Sequence, residues 1–588
     1  MTASSSYLPI SVPGPSRKKN YLKKIRGLLL VVVVFASIFS IFIKDTSKKN
    51  NLIPAFNDCG LYSPIVPTFK KSFDQILYDK KYKLTVVDKL TNAVRIPTQI
   101  YDETPPPDLK SNLTTDPNWA NFTKFHDFLQ DSFPHVFKTL KVEKINGLGL
   151  LLTWSSETTA SAPPLLLMAH QDVVPVEPST ISKWTHPPFE GIYDPEKDLI
   201  YGRGSSDTKQ MIISEMEAIE KLIIDGFEPT KRPLLIAYGF DEEASGTYGA
   251  AQISQVLLER YGKNGLYGII DEGDGVEQME NDGDFVAVIP TSEKGYLDAV
   301  LILNTKGGHS SIPPDHTSIG IMSELNMLIE ESPYEQVITL DNPALEMLQC
   351  ISTYSDSPND KALKNAFKDG RVSKIGKIVD NIPNYKFLFK TSQALDLMYG
   401  GVKSNALPEQ VTVLLNHRIG IHSTVNETLS HVLKNVLLIA KKYDFSVNVE
   451  HKNGTHISAP RKEGSNGEFV VQLMDPLEPA TISPTGDDEL WNIIAGTVVN
   501  TYQQPLFQEK KKNGTDNKVL VTSSLMAGNT DTKSYWDLTN RIYRFRGSLT
   551  SAGDKNEHTV DETTGGLTLM SGVAFFYQLI TNVDRLST

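Results

Sequence analysis

The chain has 588 residues, which is enough for several domains or for one large enzyme with an insert. Its formal net charge is -12 and no basic stripe follows the first fifty residues, which argues against nucleic acid as a main partner. Only two cysteines, Cys59 and Cys350, are present, so a disulfide framework is excluded and a single bridge is left open.

An apolar run of 17 residues, 27–43, follows a polar and then basic tail, residues 1–26. The run is at the short end of what spans a bilayer. A signal peptide is the alternative, but its apolar region would be shorter and a clear A-x-A site is missing. Six Lys or Arg residues lie just before the run and three just after it, so the positive-inside rule places the N-terminus in the cytosol. The sequence predicts a type II membrane anchor, a linker over residues 44–70 and a lumenal remainder.

Sequons for N-glycosylation agree with that orientation. One sequon is a weak signal, whereas five in a lumenal chain are coherent. The five acceptor residues are Asn112, Asn121, Asn426, Asn453 and Asn513.

From about residue 71, short apolar runs alternate with amphipathic segments. The runs "PLLLMAH", "RPLLIAYGF" and "LYGIID" have the length of buried strands. The segments between them, residues 208–227 and "TYGAAQISQVLLERYG", have apolar residues at helical spacing. This alternation predicts an α/β domain with a mostly parallel central sheet and helices on both faces. We expect it over residues 71–294 and again over 453–588.

A second, smaller domain is predicted as an insertion in the first, over residues 295–452. The runs "GYLDAVLILNT" and "EQVTVLLNHRI" alternate as half-exposed strands, and each is followed by a helical pattern. With the strand-like "DFSVNVEH", this indicates an α+β unit of β-α-β-β-α-β type with a one-sided sheet. Residues 333–400 do not fit that unit and are predicted as a helical insert.

Titratable residues stand at the ends of the apolar runs. His170 closes the first run, and Asp172 lies two residues further on. Ligands bind beyond the carboxyl ends of strands in an open parallel sheet, and a carboxylate is the usual partner of a metal-binding histidine. Taken alone, a satisfied histidine beside a surface aspartate is the simpler interpretation.

Other clusters change that interpretation. Asp207 lies in the Gly/Ser loop "GRGSSDTK", three acids follow a strand in "GFDEEASG", and "IIDEGDG" and "NEHTVDE" add further acids and His558. Each cluster alone could be a helix cap or a solvated loop. Carboxylates gathered at strand ends repel one another unless cations are bound. Two histidines among them suit a pair of divalent metal ions, with zinc the first choice.

The motifs as a set resemble the M20 family of di-zinc metallopeptidases, from about residue 70 to the C-terminus. They are "MAHQDVVPV", "GRGSSDTK", "DEEASGTYG", "DEG", "KGGHSSIPP", "NALPEQVTVLLNHR" and "NEHTVDE", in this order. Within the family, the chain is most similar to the fungal vacuolar Gly-X carboxypeptidases, which share the N-terminal anchor and the long insert. The resemblance implies a catalytic α/β domain, the first predicted domain, and an inserted lid, the second, through which two copies form a dimer.

The resemblance also assigns residues to the metal site. It implies two zinc ions per subunit, with His170 and Glu243 on one ion and Asp271 and His558 on the other. Glu272 is the alternative to Asp271. The bridging ligand is Asp207, the general base is Glu242, and Asp172 orients His170.

Further residues are assigned to the substrate. By resemblance, His309 in "GGHSS" donates to the oxyanion, and in the family this histidine comes from the lid of the partner subunit. Arg418 is the candidate for the free α-carboxylate, because a guanidinium pairs bidentately with a carboxylate, and Asn405 lies upstream in "NALPE". A turn histidine and a surface arginine are the alternatives to these roles.

These assignments predict a membrane-anchored, lumenal metallo-carboxypeptidase that releases C-terminal residues from short peptides. Two zinc ions lower the pKa of a shared water toward about 7, and Glu242 takes its proton as hydroxide attacks the carbonyl. An N-acyl-amino-acid hydrolase with the same site is the alternative enzyme, and an inactive peptide-binding relative is the non-enzymatic one. The expected location is the vacuole, from which a soluble lumenal form could be released.

Overall fold

The computed structural model describes residues 60–587 apart from residues 160, 280–282, 356, 453, 456–465 and 509–515. The predicted cytosolic tail, the anchor at residues 27–43 and Cys59 lie outside the described residues. So do the sequons at Asn453 and Asn513. Among the described residues, one helix, Gly566–Leu586, is long and apolar enough to cross a membrane. Because 94% of its most apolar window is buried inside the protein, we interpret it as a core helix.

The described chain forms fourteen helices and eighteen strands. In chain order the helices are α1 (Phe73–Tyr78), α2 (Lys80–Val94), α3 (Ala120–Ser132), α4 (Pro134–Thr139), α5 (Lys209–Ile224), α6 (Ala250–Tyr261), α7 (Ser318–Glu330), α8 (Pro343–Tyr354), α9 (Pro358–Lys368), α10 (Val372–Val379), α11 (Pro383–Lys386), α12 (Val425–Tyr443), α13 (Glu489–Tyr502) and α14 (Gly566–Leu586). The strands are β1 (Lys141–Ile145), β2 (Gly149–Trp154), β3 (Leu165–His170), β4 (Ile192–Asp194), β5 (Leu199–Tyr201), β6 (Leu234–Gly239), β7 (Gly268–Gln278), β8 (Phe285–Glu293), β9 (Gly295–Asn304), β10 (Gly308–His309), β11 (Ser392–Gly400), β12 (Ala406–Leu407), β13 (Gln410–Ile419), β14 (Ser446–His451), β15 (Glu468–Leu477), β16 (Val519–Met526), β17 (Ile542–Leu549) and β18 (Thr563–Gly565).

The central sheet of the first domain has the strand order β1-β2-β6-β3-β7-β8-β16, with β17 beside β7. Its middle strands β3 and β6 are buried along their whole length, as their continuous apolar runs predict. The sheet is mixed, because β1, β2 and β6 pair antiparallel, as do β7 and β8. Four of its seven strand pairs are parallel, so the expected mostly parallel sheet is present with three antiparallel pairs in it. The helix-covered α/β architecture is confirmed.

Helices cover both faces of this sheet. Helices α5 and α14 pack against each other in the larger core, together with side chains of α2 and α13. Helix α6 covers the other face, where Ile253 and Leu257 contact Leu166 and Leu235. Strands β3 and β6 run parallel, with His170 opposite Gly239, so that both release the chain at the same edge. Side chains that follow the two strands therefore meet at this edge, where open α/β sheets bind their ligands.

The inserted lid contains a five-stranded sheet of order β11-β13-β9-β15-β14. Residues of β9 and β13 alternate between buried and half-buried, and helices α7 and α12 pack on the buried side. One face of this sheet is therefore covered by helices, the arrangement that the alternating pattern indicates. The predicted boundary at residue 452 is wrong, because β15 pairs with both β9 and β14 and extends the lid to residue 477. The segment before β15 carries no apolar pattern from which this return could be predicted.

The helical part of the insert spans α8 to α11, whereas β11, within the predicted limits 333–400, belongs to the lid sheet. Apolar side chains of these helices form one cluster with Leu525 of β16, in the catalytic domain. Ser523 of β16 also donates a hydrogen bond to Glu346, at 2.6 Å. The insert is connected to the lid at both ends and packs on the catalytic domain. It therefore contacts both domains and holds them together.

The end of the expected linker also packs on the catalytic domain. Val521 of β16 donates its backbone N–H to Gly60, and Ile65 donates to Gly496, both at 2.9 Å. The indole of Trp491 donates to the Tyr62 hydroxyl at 2.7 Å. Residues 60–70 are therefore attached to the domain surface rather than free of it.

Candidate active site

One edge of the central sheet gathers the titratable residues that the sequence singled out. His170 is the last residue of β3, and Glu242 and Glu243 form a short turn just after β6. Glu272 lies on β7, and Asp207 lies in the loop before α5. His170 and the Glu242–Glu243 turn stand at strand ends and Asp207 stands before a helix, whereas Glu272 lies within β7, just beyond the residues that pair with β3.

Two carboxylates lie beside the imidazole of His170. Its Nε2 lies 3.2 Å from Asp207 Oδ1 and 3.4 Å from Glu272 Oε2. Ligand atoms of these three residues all lie within 4.8 Å of one another, close enough to hold one metal ion. His170 also forms such a group with Glu242 and Glu243.

A further group surrounds His558, from the loop after β17. Its Nε2 lies 2.9 Å from Asp207 Oδ2 and 3.2 Å from Glu243 Oε1, and the three residues again satisfy the spacing for one ion. The two oxygens of Asp207 therefore face different histidines. A carboxylate placed in this way suits a bridge between two metal ions.

The grouping differs from the pairs that the resemblance implied. Those pairs put Glu243 with His170 and Asp271 with His558, whereas the Asp207-centred groups put Glu272 with His170 and Glu243 with His558. Neighbouring residues of a strand point to opposite faces, so Asp271 and Glu272 cannot both face the site. The Asp271 side chain is buried, and it is absent from the metal-capable groups of the described residues. The geometry thus favours Glu272, the alternative ligand.

Asp172 contacts both halves of the cluster. His170 Nδ1 lies 3.0 Å from the Asp172 carbonyl oxygen and 3.4 Å from its Oδ1. The Asp172 Oδ2 accepts the backbone N–H of Glu243 at 2.9 Å. Asp172 therefore orients the imidazole of His170 chiefly through its backbone carbonyl oxygen, and its side chain fixes the turn that carries Glu242 and Glu243.

Three titratable groups of the site have pKa values above their ordinary range. Burial raises the pKa of Glu242, and the nearby Glu272 carboxylate raises it further. Burial also raises the pKa of Glu243 to about 7, although the hydrogen bond from His558 opposes the shift. Hydrogen bonds to Asp207 and Glu243 raise the pKa of His558 to about 10. These shifts reflect a cluster in which carboxylates outnumber cationic groups, a charge imbalance that bound divalent cations would offset.

A cavity of about 730 Å³ lies between the catalytic domain and the lid, beside this cluster. Arg418, at the end of β13, and Tyr296 of β9 line it from the lid side. The Arg418 guanidinium lies 4.8 Å from the centre of the Tyr296 ring, and its Nη1 donates to Asn529 Oδ1 at 3.0 Å. A volume of this size is typical of small-molecule sites.

Comparison with known proteins agrees with this geometry. Residues 166–582 match peptidase family M20/M25/M40. The chain belongs to this family. Carboxypeptidase S of Saccharomyces cerevisiae is 42% identical over 533 residues, which cover 90% of this chain and 89% of that protein. N-fatty-acyl-amino acid synthase/hydrolase PM20D1 of Mus musculus is 28% identical over 512 residues, which cover 86% of this chain and 89% of that protein.

Solved structures show the same fold. Human carnosine dipeptidase 1 gives a TM-score of 0.58 at 13% sequence identity, covering 89% of this chain and all of that one. The M20 family metallo-carboxypeptidase Sso-CP2 from Sulfolobus solfataricus gives 0.53 at 16% identity, covering 86% of this chain and 99% of that one. The predicted M20 family and its enzyme class, a metallopeptidase hydrolase, are therefore confirmed.

His309 and Asn405 lie together in this M20 peptidase, but away from the site described above. His309 ends β10, which pairs with β12 directly after Asn405, and both residues are exposed. His309 Nδ1 accepts the backbone N–H of Ser311 at 3.1 Å. Neither residue is among the described residues that line the cavity of the same subunit. The structure brings Arg418 to the acid–histidine cluster, but not His309 or Asn405.

The cluster is supported by two residues that the sequence patterns do not assign, Glu562 and Arg203. Glu562 is fully buried, and its Oε1 accepts the backbone N–H groups of Ser206 and Asp207 at 2.9 and 3.1 Å. Its other oxygen pairs with Arg203 at 2.6 Å. Glu562 was visible as the last residue of "NEHTVDE". Its contact with a loop more than three hundred residues earlier depends on the fold and has no local sequence signal.

Proposed function

We propose that this M20 peptidase is a di-zinc metallo-carboxypeptidase that releases the C-terminal residue of short peptides. The observation that carries the proposal is that Arg418 and the acid–histidine cluster line one cavity. An amide bond next to a free carboxylate would then reach the cluster while the carboxylate reaches the guanidinium. The 42% identity with carboxypeptidase S supports the same activity.

The donor set fits two zinc ions. Imidazole and carboxylate ligands are those that zinc takes at catalytic sites. We assign His170 and Glu272 to one ion, Glu243 and His558 to the other, and Asp207 to both, following the two groups that share Asp207. When bound, the two ions would polarise the scissile carbonyl and lower the pKa of the attacking water.

Glu242 is the proposed general base. It lines the cavity beside both metal groups, and the groups that share Asp207 are complete without it. Its carboxylate accepts the proton of the attacking water and returns it to the leaving amine. Burial raises the pKa of this carboxyl group, which makes the carboxylate a stronger acceptor for the proton of the water.

Arg418 is the proposed clamp for the substrate carboxylate. The ring of Tyr296 and the side-chain oxygen of Asn529 hold the guanidinium on the cavity wall. Only one of its nitrogens is used by Asn529, so other N–H groups can meet a carboxylate in the bidentate geometry that arginine favours.

Arg418→Ala tests this clamp. Hydrogen bonds to charged groups contribute about 1.5–3 kcal/mol, so we expect kcat/KM for free-acid peptides to fall by roughly 10- to 150-fold. The measurement is hydrolysis of a blocked Gly-Leu peptide and of its C-terminal amide, which the native enzyme should cleave poorly. Arg418→Lys should recover part of the lost activity. The control is Arg260→Ala, at an exposed arginine bonded to Glu143, which should leave kcat/KM unchanged. Equal cleavage of the acid and the amide by the native enzyme would remove Arg418 from this role.

Hydrolysis of N-acyl amino acids is the second candidate function. The similarity to N-fatty-acyl-amino acid synthase/hydrolase favours it, and the same clamp and metal groups would serve both substrates. A panel of blocked dipeptides and long-chain N-acyl amino acids, assayed on the zinc-loaded enzyme, decides between the two. Zinc binding in the expected amount without turnover of either class would instead indicate an inactive peptide-binding relative.

We further propose that the enzyme is lumenal and anchored by residues 27–43, with the vacuole as its compartment. Asn112 and Asn426 are exposed, and both should carry glycans. Asn121 is half-buried and its amide donates to the Pro97 carbonyl at 2.9 Å, so it should be occupied less. Endoglycosidase treatment followed by mass measurement of tryptic peptides checks this. An unchanged mass would contradict the orientation drawn from the flanking charges.

A homodimer through the lid completes the proposal. Strand β11 is the outer strand of the lid sheet, and its Leu397, Met398 and Tyr399 are exposed. An exposed apolar edge strand is a natural surface for pairing with a second copy. Such pairing is the route by which His309 and Asn405 of one subunit would enter the site of the other.

A further inference from the structure

Arg546, on β17, forms an unusual number of hydrogen bonds close to the metal groups. Its Nε donates to the Gly273 carbonyl at 2.6 Å, and its Nη2 donates to Glu557 Oε1 at 2.7 Å. Its Nη1 donates to the carbonyl and to the hydroxyl of Ser206 at 3.4 and 3.3 Å. All five N–H groups of an arginine lie in one rigid plane, so these contacts fix three chain segments relative to one another.

Each of those three acceptors is next in the chain to a proposed zinc ligand. Gly273 follows Glu272, Ser206 precedes Asp207, and Glu557 precedes His558. The segments are far apart in sequence, and Arg546 is an arginine, which offers hydrogen-bond donors and no metal ligand. We propose that Arg546, with Glu557, is a positioning residue that holds His558 in place for the zinc ion shared with Asp207 and Glu243. This inference rests on the di-zinc function proposed above.

The loop that carries His558 needs such support. His558 has φ of 60°, in the left-handed region that residues other than glycine rarely adopt, and its side chain is 55% exposed. Little of the surrounding core therefore restrains it. The Glu557 carboxylate, in contrast, receives Arg546 Nη2 and also the Ser206 hydroxyl at 3.0 Å. This pair of contacts ties the loop to the segment that carries Asp207.

A second explanation of Arg546 makes the opposite prediction. The guanidinium could serve only to offset the negative charge of the surrounding carboxylates. A fixed positive charge beside a cation site repels the cation, so its removal would then tighten zinc binding. If Arg546 acts by positioning, its removal loosens the His558 loop and weakens zinc binding.

The test measures zinc affinity of the purified full-length enzyme by equilibrium dialysis against graded chelator concentrations, with zinc counted by mass spectrometry. Variants Arg546→Met and Glu557→Gln should each lose about 10- to 100-fold in affinity for one of the two zinc ions, as loss of ligand-supporting contacts does. Arg546→Lys should restore little, because one ammonium group cannot bond Gly273 and Glu557 together. In the same assay, His558→Ala should weaken the binding of one zinc ion, and the Arg546 and Glu557 variants should weaken the binding of that same ion.

Lys555→Met is the matched control, since it removes an exposed cation from the same loop. It should leave both affinities unchanged. The unfolding temperature of the zinc-free Arg546→Met chain should fall somewhat, because its hydrogen bonds exist without the ion, but a positioning role confines the loss of affinity to the zinc ion at His558. Unchanged or tighter zinc binding by Arg546→Met would overturn the proposal. So would equal loss of affinity for both ions, which would reveal a merely structural role. A native enzyme that does not take two zinc ions would instead refute the proposed function itself.

Discussion

Glu242→Gln should remove nearly all turnover and leave the zinc content unchanged at about two ions per chain. Acid–base groups contribute about 10²–10⁴-fold to rate, and the amide can neither accept nor return the proton. Zinc should remain, because the groups His170–Asp207–Glu272 and Asp207–Glu243–His558 do not require Glu242. Single-turnover hydrolysis and zinc analysis of the same preparation measure both quantities.

Asp207→Asn is the matched comparison for this variant. It makes the same carboxylate-to-amide change a short distance away, but at the residue that both metal groups share. We expect it to lose zinc together with activity. If Glu242→Gln lost zinc to the same extent as Asp207→Asn, Glu242 would have to be counted as a ligand, and the group that it forms with His170 and Glu243 would become the relevant one.

The strands and helices around the site could be predicted from local patterns. The runs "PLLLMAH" and "RPLLIAYGF" are largely apolar because both faces of those strands are covered, and each strand ends within one residue of the end of its run. The alternation in 295–304 likewise matches a sheet with one covered face. The end of a parallel strand lies at the edge of the sheet where ligands bind. The same patterns therefore predicted that His170 and the Glu242–Glu243 turn lie at that edge.

Features that depend on long-range contacts could not be predicted in this way. Strand β15 joins the lid through pairing with β9, more than 150 residues earlier, and its own sequence does not say which sheet it joins. The choice between Asp271 and Glu272 depends on which face of β7 meets the site, a question of register within the whole sheet. Arg546 and Glu562 act on loops hundreds of residues away, so their contacts have no local signature.

His309→Ala should also be nearly inactive, although His309 is remote from the cavity of its own subunit. The exposed β10–β12 hairpin carries His309 and Asn405 away from the described lining of that cavity, and the edge strand β11 offers a surface for a second copy. We therefore expect His309 to donate to the oxyanion in the site of the partner subunit. If so, the site is assembled only in the dimer, and two inactive variants should complement each other.

Co-expression of Glu242→Gln and His309→Ala chains with different affinity tags tests this expectation. Random pairing makes roughly half of the dimers mixed, and in a mixed dimer one site receives Glu242 from its own chain and His309 from the partner. The other site carries both changes, so about a quarter of all sites should recover. Doubly tag-purified mixed dimers should reach about half of native activity per dimer.

In a cis arrangement every site of a mixed dimer lacks either Glu242 or His309, and the purified mixed dimers would then be no more active than the two variants alone. That result would exclude His309 from the partner's site while leaving the metal groups and Arg418 untouched, because all of those come from one chain.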